Sequence, residues 1–519
     1  MLKHYLRAAT DAFWRDGNRF DNPAVRQARL LRRLLRTAAD TEWGRAHDFA
    51  ALAEAPDVAR AYQAHMPLTG YEDIRSQVER MRRGEPDVLW PGTVERYGVS
   101  SGTVSDGKVL PAPEAALRAK VRGSADAAFS YVANRNGWSL LGGKALTLPG
   151  RMEEDPAYPG TLAGEGSALF SQRTASWFQQ FYQALPNSDL IWHEWGEKLR
   201  AVARRTVEQD VRALVSVPSW MPVLFEMLRE EYARRHGRRP GTIREVWPNL
   251  QVFFSGGVAL QPYRRLLERE LGDVDFVESY AATEGFFAFQ DHPAKDMLLH
   301  LGTGVFYEFV RADELGEENP RRYRLEEVET GVRYVLYVTA NCGLWAYGVR
   351  DVIRFTSTFP HRLVVAGRVA EMMDRYGEAL FAEETRAALS RACEEEGATV
   401  REYHVAPRTT EAADAASDGH APRHQWLVEF ESAPAGRRAF ADALDEHLRA
   451  ANRHYGIRRE TDALRSPEVV ALPEGAFHRW LDHAHETVSA QTKVPRIADD
   501  RHVADPLLRL ADGEATATP

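Results

Sequence analysis

The chain has 519 residues, 44% of them hydrophobic and 27% charged, with a formal net charge of -9. That length suits two or three domains with a large buried core, and the interspersed, mildly acidic charge excludes nucleic acid or an acidic membrane as partner. Only two cysteines, Cys342 and Cys393, are present and lack C-x-x-C spacing, which excludes a disulfide or zinc framework and fits a reducing compartment; no signal-type or bilayer-spanning apolar run is present, so a cytoplasmic protein is expected.

In chain order, Val25, Leu30, Leu31, Leu34, Leu35 and Ala38 recur at helical spacing, with arginines spread between them; this predicts an amphipathic helix with a solvated basic face. A second helix is predicted from Pro67-Leu68-Thr69-Gly70-Tyr71 to Arg83. The alternating run Val94-Glu95-Arg96-Tyr97 then enters Gly98-Val99-Ser100-Ser101-Gly102-Thr103-Val104-Ser105-Asp106-Gly107-Lys108. Glycines, hydroxyls and a lysine in one loop present N–H and O–H groups to an anion, and we read the stretch as a nucleotide phosphate loop. Other readings compete on the residues alone. Gly102 to Lys108 has Walker A spacing, but Val109 stands where the magnesium-binding hydroxyl belongs, and Pro111 and Pro113 obstruct the helix that such a loop opens. Gly98 to Gly102 has the spacing of a nucleophile elbow with Ser100 as nucleophile, yet the residues after it are poor helix formers. A plain surface turn fits as well.

Glu114 to Tyr131 is an alanine-rich helix broken mainly by Gly123, predicted to pack under the loop. Leu140 to Leu148 reads as a strand pair or turn, Leu214 to Trp220 as a buried strand ending in a proline turn, and Met221 to Arg235 as an amphipathic helix stopped by Gly237 and Pro240. The strand Val252 to Leu260 contains Gly256-Gly257, where bare backbone admits a flat ring. Phe276 to Phe287 is a strand, a small-residue turn and a Thr283-Glu284 pair. There an aromatic ring (Tyr280) can stack on a base, a hydroxyl can bond a phosphate and a hard carboxylate oxygen can hold Mg²⁺. Thr283 as a simple helix cap is the alternative. Residues 306–310 and 333–339 alternate as antiparallel strands and lead to Asp351 and then to Gly367-Arg368, whose guanidinium can grip oxygens bidentately. Helices at 382–396 and 439–452, with strands at 401–405 and 426–431, make a small α/β domain with a polar loop at 406–424. Lys493 lies in Ser489-Ala490-Gln491-Thr492-Lys493-Val494-Pro495-Arg496; His483 and His485 do not share a helix face and predict no metal site.

Taken together, Ser100-Ser101-Gly102-Thr103 with Lys108 and Pro111, Ser255-Gly256-Gly257, the Tyr280, Thr283 and Glu284 cluster, Asp351, Gly367-Arg368 and the Lys493 motif resemble the ordered motifs of adenylate-forming enzymes. The text is most similar to the acyl-acid amido synthetases of the auxin-responsive Gretchen Hagen family, from about Thr41 to Arg496. The resemblance implies an α/β fold: a large N-terminal domain (1–370) of twisted mixed β-sheets, with a β-barrel-like part, flanked by helices, and a small mobile C-terminal α/β domain (371–519). It implies ATP and Mg²⁺, with Ser100, Ser101, Gly102, Thr103, Lys108, Gly256, Gly257, Tyr280, Thr283, Asp351 and Arg368 on the nucleotide and Glu284 on the metal. Thr283, Glu284 and Lys493 would be catalytic, and Val217, Ser219 and Trp220 would line the acyl pocket. The implied reaction joins a carboxylic acid to ATP, releases pyrophosphate, and passes the acyl group from acyl-AMP to an amine, typically of an amino acid. Departures are Val104, where the family has a second threonine, and Arg350, where it has glycine before the aspartate. Rival readings are a ligase with coenzyme A or a carrier thiol as acceptor, a serine hydrolase using Ser100, and a degenerate nucleotide-binding protein.

Overall fold

Valine-, phenylalanine- and tyrosine-rich runs between residues 96 and 368 carry the β-branched and aromatic side chains that fill a pleated surface. In the computed structural model they pair into two sheets. The structure describes residues 22–511 except 100–107, 136, 172, 174–175, 194, 258–259, 261–262, 294–295, 316, 374, 377, 379, 409–421 and 485–493. The strands are β1 (Arg96–Val99), β2 (Val109–Pro111), β3 (Lys144–Thr147), β4 (Met152–Glu154), β5 (Leu162–Gly164), β6 (Val211–Ser216), β7 (Val252–Gly256), β8 (Asp275–Ala281), β9 (Phe286–Phe289), β10 (Met297–Leu299), β11 (Val305–Arg311), β12 (Arg333–Ala340), β13 (Leu344–Thr358) and β14 (His361–Arg368). A four-stranded sheet has the order β2-β1-β5-β4, and a ten-stranded sheet the order β11-β12-β13-β14-β10-β9-β8-β7-β6-β3.

The large sheet is mixed for a simple reason of connection. Helix Met221–His236 separates β6 from β7, and helix Arg264–Leu271 separates β7 from β8, so these strands run parallel; short links from β8 to β9 and from β9 to β10 give antiparallel pairs. Helix Met221–His236 starts with proline in its first turn and stops where Gly237 turns left-handed at φ 68°. No closed barrel is seen: among the described residues both sheets are open. Their edges are covered locally instead. Ala145 of β3 bonds Tyr182 and Ala184, and Phe309 of β11 exchanges bonds of 2.9 and 2.6 Å with Tyr323, so the two edges have no need of each other.

The chain divides into two compact units, Met1–Val349 with Arg354–Val364, and Arg350–Ile353 with Val365–Pro519. In the smaller unit β15 (Met372–Met373) pairs with β16 (Leu380–Phe381), while β17 (Thr399–Arg408), β18 (Arg423–Ser432) and β19 (Glu468–Leu472) form a sheet. Helices Ala382–Glu396 and Arg437–Ala451 pack with it around Trp426, Phe440, Leu444 and Tyr455. Polar anchors fix the helices: Asn452 caps Arg453–Glu460 and donates to Glu384 at 2.9 Å, and Asp445 accepts from Tyr455 and Arg459, both at 2.6 Å.

His404 of β17 is fully buried and its Nδ1–H donates to the Pro495 carbonyl at 2.6 Å, tying residues after Lys493 to the sheet. Burial pushes its pKa down to about 4 from 6.5, so the folded state holds it neutral. The folded pKa lies below the unfolded one; this stabilisation is therefore complete above about pH 6.5 and lost as pH falls toward 4. At about 1.4 kcal/mol per pKa unit, the drop in unfolding free energy between about pH 7.5 and pH 5 should be about 2 kcal/mol larger in the wild type than in His404→Asn, measured by urea denaturation. Equal drops would contradict it.

Candidate functional site

β6, β7 and β8 run in register, with Ser216 beside Ser255 and Ser255 beside Glu278. Their carboxyl ends therefore release Val217, Gly256-Gly257 and Ser279-Tyr280 side by side, at the edge where sheets of this kind bind ligands. The glycines are needed for closeness. A Cβ on Gly256 would sit 3.0 Å from Ser279 Oγ; Gly257 has φ +81° and would place one 3.5 Å from Val217 Cγ2. Ser219 and Trp220 follow Val217 in the 3-10 turn Pro218–Trp220, both half-buried, and the Ser219 hydroxyl is buried with no hydrogen-bond partner among the described residues. Tyr280 is 8% exposed, with its ring tilted against Phe287 at a centroid distance of 4.9 Å.

Thr283 and Glu284 occupy the tip of the β8–β9 hairpin, closed by Ala282 N–H to Gly285 C=O at 2.9 Å and the reciprocal bond at 3.3 Å. Thr283 is thus a turn residue and not a helix cap. Gly98, near the end of β1, abuts it: a Cβ there would overlap the Thr283 methyl group. The four-stranded sheet meets the large sheet at that point. β1 and β2 are antiparallel with Val99 opposite Val109, and among the described residues the next helix begins at Glu114. A Walker A loop runs directly into a helix after its lysine, so strand Val109–Pro111 after Lys108 does not fit that reading. Lys108 is half-buried at the start of β2, where the Val109 N–H donates to the Tyr71 hydroxyl at 3.3 Å. Ser100, Ser101, Gly102 and Thr103 lie outside the described residues, as does Lys493.

Under the hairpin tip stands a residue that motif reading passed over. Lys120, from helix Glu114–Asn134, is 6% exposed and donates from Nζ to the Thr283 carbonyl at 2.6 Å. Burial pushes its pKa down, while Cys342 and Glu284 nearby pull it back up. Burial likewise raises the Cys342 thiol to about 12, which keeps it an unreactive thiol. Glu284 is 8% exposed, and among the described residues no cluster of three or more His, Cys, Asp or Glu side chains forms a metal cage. A single hard carboxylate is nevertheless the donor set that suits Mg²⁺ arriving on phosphates, since that ion keeps most of its shell from phosphate and water. The signal for Lys120 was present in the sequence: it shares the buried face of its helix with Ala116, Leu117, Gly123 and Ala127, where a lysine has no reason to be without a partner.

Within the smaller unit, Asp351 is 7% exposed and lies 3.3 Å from Arg368 Nε. Arg350 has φ +66° and an exposed side chain. A left-handed backbone explains why glycine suits this place, and the arginine's exposure keeps its bulk off the buried Asp351.

The profiles of the GH3 family N-terminal, central and C-terminal domains match residues 18–190 with 167–276, 298–368 and 383–502. The fold is shared with a solved "GH3.15 acyl acid amido synthetase", at a TM-score of 0.74 and 16% identity, over 98% of this chain and 97% of that one. The chain belongs to the GH3 family. In sequence it is similar to the indole-3-acetic acid-amido synthetase GH3.8 of Oryza sativa subsp. indica, 27% identical over 63% of this chain. The matched stretch spans about half of that relative, 54%. A probable indole-3-acetic acid-amido synthetase GH3.4 of Oryza sativa subsp. japonica is 25% identical over 96% of this chain and 89% of its own length.

Two outcomes follow from the backbone. Gly98→Ala must displace the Thr283 methyl group and should cost about 1–3 kcal/mol of stability in chemical denaturation; an unchanged midpoint would show that the two elements are not in contact. Arg350→Gly should relieve left-handed strain and raise stability by about 0.5–1 kcal/mol, whereas a loss would mean that the arginine makes a contact worth more than the strain.

Proposed function

We propose that this chain is an ATP-dependent acyl-acid amido synthetase that activates a carboxylic acid as its acyl-adenylate and transfers the acyl group to an amine. The observation that carries the reading is the abutment of Gly98 on Thr283, which sets the entry to residues 100–107 against a Thr–Glu hairpin tip beside the carboxyl ends of β6 to β8. The names of the rice relatives support a small organic acid such as an indole acetic acid and an amino acid as acceptor.

In the first step a carboxylate oxygen of the acid attacks the α-phosphorus of ATP, and the bond to the bridging oxygen breaks to release pyrophosphate. Ser100, Ser101, Gly102, Thr103 and Lys108 hold the outgoing phosphates by backbone N–H, hydroxyl and ammonium groups. The Thr283 hydroxyl bonds the α-phosphate, Gly256-Gly257 and Tyr280 receive the adenine, Asp351 accepts the ribose hydroxyls, and Arg368 reaches nucleotide oxygens. Val217, Ser219 and Trp220 wall the acyl group. Mg²⁺ on Glu284 would supply charge neutralisation on the phosphate oxygens. In the second step the amine attacks the acyl carbonyl, the bond from the acyl carbon to the oxygen bridging it to phosphorus breaks so that AMP leaves with that oxygen, and the nitrogen loses a proton. Lys493, from the 371–519 domain, neutralises charge developing between carboxylate and α-phosphate.

Exchange of labelled pyrophosphate into ATP tests this with a panel of aromatic, indole and aliphatic acids. Exchange should require both an acid and magnesium, and amide should form only when an amino acid is added; Lys493→Ala should lower exchange by roughly 100-fold or more. Ester hydrolysis without ATP, with an organophosphonate adduct on Ser100, would replace the ligase by a hydrolase.

A further inference from the structure

A lysine on the buried face of a helix needs both a hydrogen-bond acceptor and a counter-charge, because an ammonium in a low-dielectric interior is otherwise expelled or neutralised. Lys120 has both, and both belong to one two-residue turn. Its Nζ donates to the Thr283 carbonyl at 2.6 Å, and the Glu284 carboxylate stands close enough to favour its charged form. Other constraints converge on the same turn. The Cys342 thiol lies 4.0 Å from the Glu284 carbonyl, and Gly98 leaves room for the Thr283 methyl group. A Cβ on Gly166 would lie 3.9 Å from the Lys120 ammonium, so the helix Gly166–Ser171 begins beside it. Three residues further along Lys120's helix, Gly123 sits against the Phe286 ring, which seats the helix on the first residue of β9.

From this geometry we propose that Lys120 is a positioning residue for the adenylation step: by pinning the Thr283 carbonyl, next to Glu284, its ammonium sets the orientation in which the Thr283 hydroxyl and the Glu284 carboxylate are presented. The role rests on the function proposed above. A two-residue turn leaves few hydrogen bonds to hold it, and Lys120 supplies one from outside the hairpin. Without it the half-buried Thr283 carbonyl loses that partner, and the turn keeps only the paired Ala282–Gly285 bonds and its packing contacts to orient it. The expected effect falls on the transition state, where phosphate charge builds, more than on ground-state binding of ATP. Lys120 itself touches no substrate in this account, so its removal should separate kcat from KM.

The experiment compares Lys120→Met, which keeps length and loses donor and charge, with Lys120→Arg, which keeps both. Folding is checked by circular dichroism and thermal melting, and acid-dependent pyrophosphate exchange is measured over a range of ATP concentrations. Folded Lys120→Met should lose tenfold or more in kcat with KM for ATP changed less than threefold, and Lys120→Arg should recover at least a third of wild-type kcat. If Lys120→Met does not fold, Lys120→Gln decides, since it keeps a donor for the carbonyl without the charge facing Glu284: a tenfold lower kcat supports the role and wild-type kcat overturns it. A folded Lys120→Met with wild-type kcat, or a Lys120→Arg as impaired as Lys120→Met, overturns it with the proposed function intact. A wild type that shows no acid-dependent exchange overturns the function, and this role with it.

Discussion

The site depends on one place where a side chain is missing. Gly98 allows the Thr283 methyl group into space that any Cβ would occupy, and through that contact a four-stranded sheet docks on the tip of a hairpin in a ten-stranded one. Contacts of this kind are set by volume and tolerate little change, because protein interiors are packed like crystals. Two further glycines work the same way at the strand ends, where Gly256 and Gly257 bring Ser279 and Val217 near. Three bare backbone positions thus gather segments that are distant in sequence onto one edge of the parallel strands.

Buried polar groups then fix what the glycines allow. Lys120 beneath the Thr283–Glu284 turn and His404 against Pro495 are each inside, and each has a defined backbone acceptor. A neutral or apolar residue could fill either volume. What it could not supply is direction, since a hydrogen bond to a carbonyl specifies orientation in a way that packing alone does not. The same logic holds in the smaller unit, where Asp445 takes bonds from both Tyr455 and Arg459, which hold its carboxyl below the usual range against the opposing pull of burial.

Long periodic elements were legible from the sequence. The helix at 382–396 carries the bounds that its spacing predicts, and helix Met221–His236 ends at the glycine that marks its stop. The 306–310 and 333–339 runs pair antiparallel, as their alternation suggests. Short-range chemistry left one alternative open: Thr283 before Glu284 also reads locally as a helix cap, and the pairing of β8 with β9 makes it a hairpin tip. What covers each edge of the large sheet was illegible, since Gln183 on β3 and Tyr323 on β11 come from outside the strands. The left-handed backbone at Arg350 carries no local signal in an arginine, and Lys120, although its place on the apolar face was a signal, is easily passed over in an alanine-rich helix that reads as plain packing. Around the candidate site, the contacts that join Gly98 to Thr283 and Thr283 to Lys120 were not readable from the sequence.

The central claim is that the hairpin tip, the paired glycines and the Ser100 to Lys108 stretch serve one nucleotide. A crystal structure with an acyl-sulfamoyl adenosine, in which the sulfamoyl group replaces the phosphate of an acyl-adenylate, tests it most directly. The account predicts the sulfamoyl oxygens within hydrogen-bond reach of the Thr283 hydroxyl and the adenine against Gly256-Gly257. An analogue bound away from the carboxyl ends of β6 to β8, or one that leaves Thr283 without a contact, would contradict it.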